Sequence, residues 1–156
     1  MIHLFYVSIS GNTRAFVKRL VALAAQRHEA DATQPLIHAV AYTENLDPQS
    51  LVEPFFVMVP TYLDGGDGIN NGYKEVMALD FRDELDELDQ KRVLGIIGSG
   101  NRNFNAQFGL TAKHYARRYD APLIGLFELR GNAEEAQQIY TTLVSYQRDF
   151  EQRGVK

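Results

Sequence analysis

Four apolar runs of strand length stand out along the chain: Ile2 to Val7 (IHLFYV), Phe55 to Val59 (FFVMV), Val93 to Ile97 (VLGII) and Leu123 to Leu129 (LIGLFEL). They are nearly continuous rather than alternating, which is the pattern of strands buried on both faces. A fifth run, Leu36 to Val40 (LIHAV), is shorter and more polar, and it fits the edge of a sheet. Between the runs, apolar residues return every three or four positions. Phe16, Val17, Leu20, Val21 and Ala24 form one stripe, while Arg14, Lys18, Arg19 and Gln26 fall largely outside it. The segment from Asn105 to Tyr119 gathers Phe108, Ala112, Tyr115, Ala116 and Tyr119 on one side. The C-terminal segment does the same with Ala136, Ile139, Tyr140, Leu143, Val144 and Phe150.

Strands alternating with helices indicate an α/β layer fold, and right-handed crossovers leave few topologies for five strands of this kind. The expectation is one domain over residues 1–156, a flavodoxin-like, doubly wound parallel sheet of five strands in the order 2-1-3-4-5 with helices on both faces. A chain of 156 residues is long enough to bury a sizeable core, and it contains no internal repeat, low-complexity tract or linker. The one glycine-dense loop, Asp64 to Gly72 (DGGDGINNG), is too short to separate domains. Ligands of such a sheet are expected at the carboxyl ends of strands one and three.

Charge and composition narrow the chemistry. With 16 Lys plus Arg against 20 Asp plus Glu, the formal net charge is -4, so there is no broad basic surface for a nucleic-acid backbone. No cysteine occurs, which removes disulfides, thiolate metal sites and thiol nucleophiles, and leaves any redox chemistry to a cofactor. The chain starts on a strand-like run without a basic, cleavable leader, and no window approaches the roughly 18 apolar residues that span a bilayer. A cytoplasmic protein that binds neither membrane nor nucleic acid is expected.

The candidate chemistry lies in three loops at one end of the predicted sheet. The stretch Ser8-Ile9-Ser10-Gly11-Asn12-Thr13 joins the first strand to the first helix, where free backbone N–H groups carry partial positive charge and can receive an anion. Gly11 permits close approach, Ser8, Ser10 and Thr13 offer hydroxyls, and Asn12 offers an amide. An ordinary turn with a polar N-cap accounts for the same residues. The stretch lacks both the Gly-Lys-Ser/Thr of a Walker loop and G-x-G-x-x-G, so as a ligand site it suits a monophosphate such as that of flavin mononucleotide (FMN).

The third strand runs into Pro60-Thr61-Tyr62-Leu63 and then Gly65 and Gly66, which brings a polar anchor and an aromatic face beside the first loop. A half-exposed tyrosine and a glycine-rich turn are the plainer account of these residues. The fourth strand leads into Gly98-Ser99-Gly100-Asn101-Arg102-Asn103-Phe104, again small and polar. Other chemistries fit less well. A receiver domain needs acidic residues after strand one and an aspartate ending strand three, where this chain has Ser8-Ile9-Ser10 and Pro60-Thr61. A small phosphatase of similar fold needs a first-loop cysteine. His3, His28, His38 and His114 lack metal-ligand spacing, and the carboxylates from Asp80 to Asp89 read as a solvated face.

Taken together, SISGNT with Phe16 behind it, PTYLDGGDGINNG, GSGNRNFN with LTAKHYARRY, and FELRG resemble the ribonucleotide reductase stimulatory flavoproteins, the NrdI family, from Ile2 to about Tyr146. SISGNT alone matches flavodoxins in general, whereas GSGNRNF followed by LTAKHY is far more specific. The resemblance implies bound FMN, with its phosphate at Ser8, Ser10, Gly11, Asn12 and Thr13. It implies a ring lying between Pro60, Thr61, Tyr62, Leu63, Gly65 and Gly66 on one side and Gly98, Ser99, Gly100, Asn101, Asn103 and Phe104 on the other.

The same resemblance implies that reduced flavin reacts with molecular oxygen and that the oxidant, superoxide, serves the dimanganese small subunit of a class Ib ribonucleotide reductase. A flavin-reducing electron donor is the further partner. The manganese would belong to the reductase subunit, and no metal or catalytic dyad is expected in this accessory redox protein. Where some family members carry a cysteine before Leu-Thr-Ala-Lys, this chain has Phe108-Gly109, which excludes a thiol role. A general electron-transfer flavodoxin and a module that keeps the fold without the cofactor are the alternatives. Colour separates the second from the rest, and radical formation in the small subunit separates the first.

Overall fold

The computed structural model of the protein describes residues 1–7, 12–42, 54–60, 93–100, 110–128 and 131–154. Within them the chain forms β1 (Ile2–Tyr6), α1 (Asn12–Ala30), β2 (Ile37–Ala41), β3 (Phe55–Pro60), β4 (Val93–Gly100), α2 (Leu110–Arg118), β5 (Leu123–Glu128) and α3 (Ala133–Gly154). The five strands pair only in parallel, in the order β2-β1-β3-β4-β5, as the sequence pattern predicts.

The continuous apolar runs divide their side chains between two cores. Ile2, Leu4 and Tyr6 of β1 and Phe56 and Met58 of β3 join a cluster with Phe16, Val17, Leu20 and Ala24 of α1 and with Ala136, Ile139, Tyr140, Leu143 and Val144 of α3. Phe5 and Val7, with Phe55, Val57 and Val59, pack on the other face against Ala112, Tyr115 and Tyr119 of the α2 segment. These residues of β1 and β3 thus face a helix whichever way they point. Burying a phenylalanine, leucine or isoleucine in this way contributes about 1.5–3 kcal/mol. The predicted stripes of α1 and α3 are buried except at Val21 and Phe150, which are half-buried, whereas Arg14, Lys18, Arg19 and Gln26 are exposed.

β4 differs from its sequence reading by running three residues further, to Gly100. The reason lies in its neighbours, since Ser99 stands opposite Pro60 of β3 and Phe127 of β5, and Gly100 stands opposite Glu128. The ladder shifts register between Phe55 and Phe56, which face Val93 and Gly95, and again where Ile96 and Ile97 face Leu123 and Gly125. Leu94 and Ile124 are the extra residues, and both bulges lie in the lower half of the sheet. Above them the strands stay in unbroken register to their carboxyl ends.

Candidate functional site

In a parallel sheet every strand ends on the same edge, and here β1, β3 and β4 finish side by side. The first crossover leads from β1 through α1 to β2 on one side, while β3 lies on the other, so the connections part between β1 and β3. The end of β1 is held from both sides. The Val7 N–H donates to the Met58 carbonyl at 3.2 Å, and the Tyr42 N–H donates to the Tyr6 carbonyl at 2.7 Å. The chain that leaves β1 therefore departs from a fixed point and enters α1 at Asn12.

The opening of α1 is electrostatically unlike that of α3. Helix N-termini favour carboxylates in the first turn, and α3 supplies Glu134 and Glu135 there, but α1 has no acidic residue in its first turn. No Asp or Glu occurs before Glu29. The positive end of a 19-residue helix is thus left without a carboxylate of its own beside the point where the strand connections part. Thr13 is only 2% exposed, an uncommon setting for a hydroxyl in the first turn of a helix. These features fit a phosphate group.

The chain matches the family model described as NrdI flavodoxin-like over residues 4–141, the greater part of its length. It belongs to the NrdI flavodoxin-like family. It is 38% identical over 143 residues to an NrdI-like protein of Streptococcus pyogenes, with 91% of each chain covered. It is 33% identical over 132 residues to Protein NrdI of Bartonella tribocorum, with 84% of each covered. Among solved structures, the flavodoxin of Fusobacterium nucleatum bound to flavin mononucleotide superposes with a TM-score of 0.63 over 95% of this chain and 97% of that one, at 12% identity. That likeness shows the shared flavodoxin fold.

Of the NrdI-type site residues expected from sequence, the described ones fall at the carboxyl edge. Asn12 and Thr13 open α1, Pro60 ends β3, and Gly98, Ser99 and Gly100 end β4. Pro60 and Ser99 are register partners, which brings the ends of β3 and β4 together. Ser8, Ser10, Gly11, Thr61, Tyr62, Leu63, Gly65, Gly66, Asn101, Asn103 and Phe104 lie outside the described residues, as does the acidic run from Asp80 to Asp89. Gly98 carries a packing constraint that the sequence did not reveal. A Cβ there would press into the Ala112 methyl group and stand 2.9 Å from Leu126 Cδ2, so the bare backbone lets α2 sit on the sheet.

A second feature missed from sequence is the turn after β5. The Phe127 ring stacks on Phe16 of α1 with centroids 3.8 Å apart and planes 20° apart. Gly131, at φ 72°, donates its N–H to the Glu128 carbonyl at 2.8 Å and lies directly against the Phe16 ring. Asn132 then caps α3 by accepting the Glu135 N–H at 2.8 Å, and the Glu135 carboxylate accepts the Glu128 N–H at 3.1 Å. The signal for it was present as Asn132-x-x-Glu135, a helix-start pattern preceded by glycine.

The opposite end of the sheet has a different character. Arg27, Gln34, Tyr140 and Arg148 line a cavity of about 530 Å³ there, beside the last turn of α1. His28 donates from Nδ1 to the Gln34 carbonyl at 2.8 Å, closing the α1–β2 connection, and the His3 and His38 rings meet edge to face at 5.7 Å. Among the described residues no group of three His, Asp or Glu is arranged to hold a metal ion, and no helix is long and apolar enough to cross a membrane.

Proposed function

We propose that this NrdI-family chain is a cytoplasmic FMN protein that activates a class Ib ribonucleotide reductase. The observation that carries the reading is the acid-free N-terminus of α1, opening between the ends of β1 and β3 in a chain of this family. Ser8, Ser10, Gly11, Asn12 and Thr13 would hold the phosphate through backbone N–H groups and hydroxyls. The residues following β3 (Thr61, Tyr62, Leu63, Gly65 and Gly66) and those ending and following β4 (Gly98 to Phe104) would flank the ring. When bound, the flavin would supply the electron chemistry, the one-electron reduction of molecular oxygen to superoxide for the dimanganese centre of the small subunit.

The protein's own part is to bind, orient and tune. If Asp64 and Asp67 lie close to the ring, they would disfavour added negative charge on it and make the reduced form a readier donor to oxygen. The fold likeness to FMN-bound flavodoxin also favours a second reading, a general electron carrier that serves another reductase.

An anaerobic reductive titration followed by oxygen, with and without the manganese-loaded small subunit, separates the two. Radical formation in the subunit supports the activator. Reduction of other acceptors without a radical supports the carrier, and a colourless protein that takes up no FMN defeats both. Within the same series, Gly11→Val should weaken FMN binding by blocking close phosphate approach, while Gln138→Ala on the exposed face of α3 should leave it unchanged. Equal FMN affinity in the two variants would count against the phosphate assignment.

A further inference from the structure

Phe127, Glu128, Gly131 and Asn132 have no role assigned in the site above, yet each is tied to a neighbouring element. Phe127 is fully buried and stacked on Phe16, which is itself fully buried. Gly131 presses on the same ring, where a Cβ would stand 2.6 Å from Cε2 and closer still to Cδ2. Glu128 joins the turn to the sheet through its register with Gly100, and to α3 through the hydrogen bond from its N–H to the Glu135 carboxylate. Glu128 is thus anchored to β4 and to α3, and Gly131 meets α1 at Phe16.

Phe16 lies one turn into α1, three residues after Thr13, so the two share a face of the helix and both are buried. The helix beyond Phe16 is held in the same core by Val17, Leu20 and Ala24. A helix turn is stiff, so the position of the Phe16 ring sets where the first N–H groups of α1 stand. We propose that Phe127 and Gly131 are positioning residues for the phosphate end of the flavin site, holding the opening of α1 in place through Phe16. The inference rests on the FMN reading for its ligand. Gly131 suits the task because it adopts a positive φ without strain and leaves no Cβ between the turn and the ring.

The test compares FMN with riboflavin, which has the same ring and no phosphate, by fluorescence titration of the full chain. Gly131→Asn keeps a residue that tolerates positive φ but adds a Cβ against Phe16. It should weaken FMN binding on the order of tenfold while leaving riboflavin affinity within about twofold, so that the preference for FMN shrinks. Phe127→Leu, which removes the stacked ring without adding bulk, should shrink the preference in the same direction and carries the test if Gly131→Asn does not fold. Gln138→Ala should preserve it.

A role confined to folding predicts a lower melting temperature with an unchanged FMN-to-riboflavin ratio, and that result in a folded variant overturns the proposal. Should the wild-type chain bind flavin without preferring FMN, the phosphate reading itself falls, and this inference falls with it.

Discussion

Gly98 shows how one position can answer to two demands. In the sequence it stands in a small, polar stretch that reads as an approach to a ligand, but in the fold its open side is filled by Ala112 and Leu126. Gly98→Ala should therefore destabilise the protein without any ligand present, by about 1–3 kcal/mol for a methyl group forced into a packed contact. Urea denaturation of the flavin-free protein measures this, and Ala112→Gly in the same chain should recover part of the loss. A Gly98→Ala variant as stable as the wild type would show that α2 yields there. The reason Gly98 and Gly131 were not legible in this sense is physical: a missing side chain declares nothing about which distant residue occupies its place. Phe16 was visible as a core residue, but its partner Phe127 lies more than a hundred residues away along the chain.

The elements were far more legible than their ends. Continuous apolar runs of strand length and a 3.6-residue period are both local signals, so the five strands and the stripes of α1 and α3 could be read directly, together with β2 as an edge strand beside β1. The end of β4 could not, because Ser99 and Gly100 join the strand through pairing with distant residues, Ser99 with Pro60 and Phe127 and Gly100 with Glu128. For α3 the start is set by Asn132, whose side chain accepts the Glu135 N–H. Asn132→Ala should cost about 1 kcal/mol, the usual loss for a polar N-cap. In a domain of this length that lowers the melting temperature by about 2–4 °C. Calorimetry on the purified protein checks it, and Asn132→Ser, which restores a cap, should regain most of the difference.

Across the whole molecule, the upper edge of the sheet carries the candidate ligand site and the lower edge carries interactions that tie the chain together. Tyr140 is the clearest of the latter. Its ring belongs to the core, and its hydroxyl donates to the Pro35 carbonyl at 2.8 Å, linking α3 to the segment that enters β2. Burial raises the phenol above its ordinary value, against the opposing influence of Arg27 and Arg148. The folded state therefore holds this proton more tightly than the unfolded chain does. The resulting stabilisation is fully present below about pH 10 and is lost as the pH rises through the higher folded value.

Tyr140→Phe should be less stable at neutral pH by about 1 kcal/mol, the usual net worth of a hydrogen bond. Its deficit should narrow above pH 10, where the unfolded wild-type chain gains by ionising a phenol that the fold keeps protonated. Urea midpoints measured from pH 7 to 11 give both quantities, and a deficit that stays constant across that range would contradict the assignment.

The two bulges have a consequence for how the chain tolerates change in length. Leu94 and Ile124 are each one residue more than the ladder needs, and both sit low, so Pro60, Ser99 and Phe127 still arrive abreast. An added or missing residue near the foot of β4 or β5 is absorbed there as slack, and the sill on which a cofactor would rest stays level.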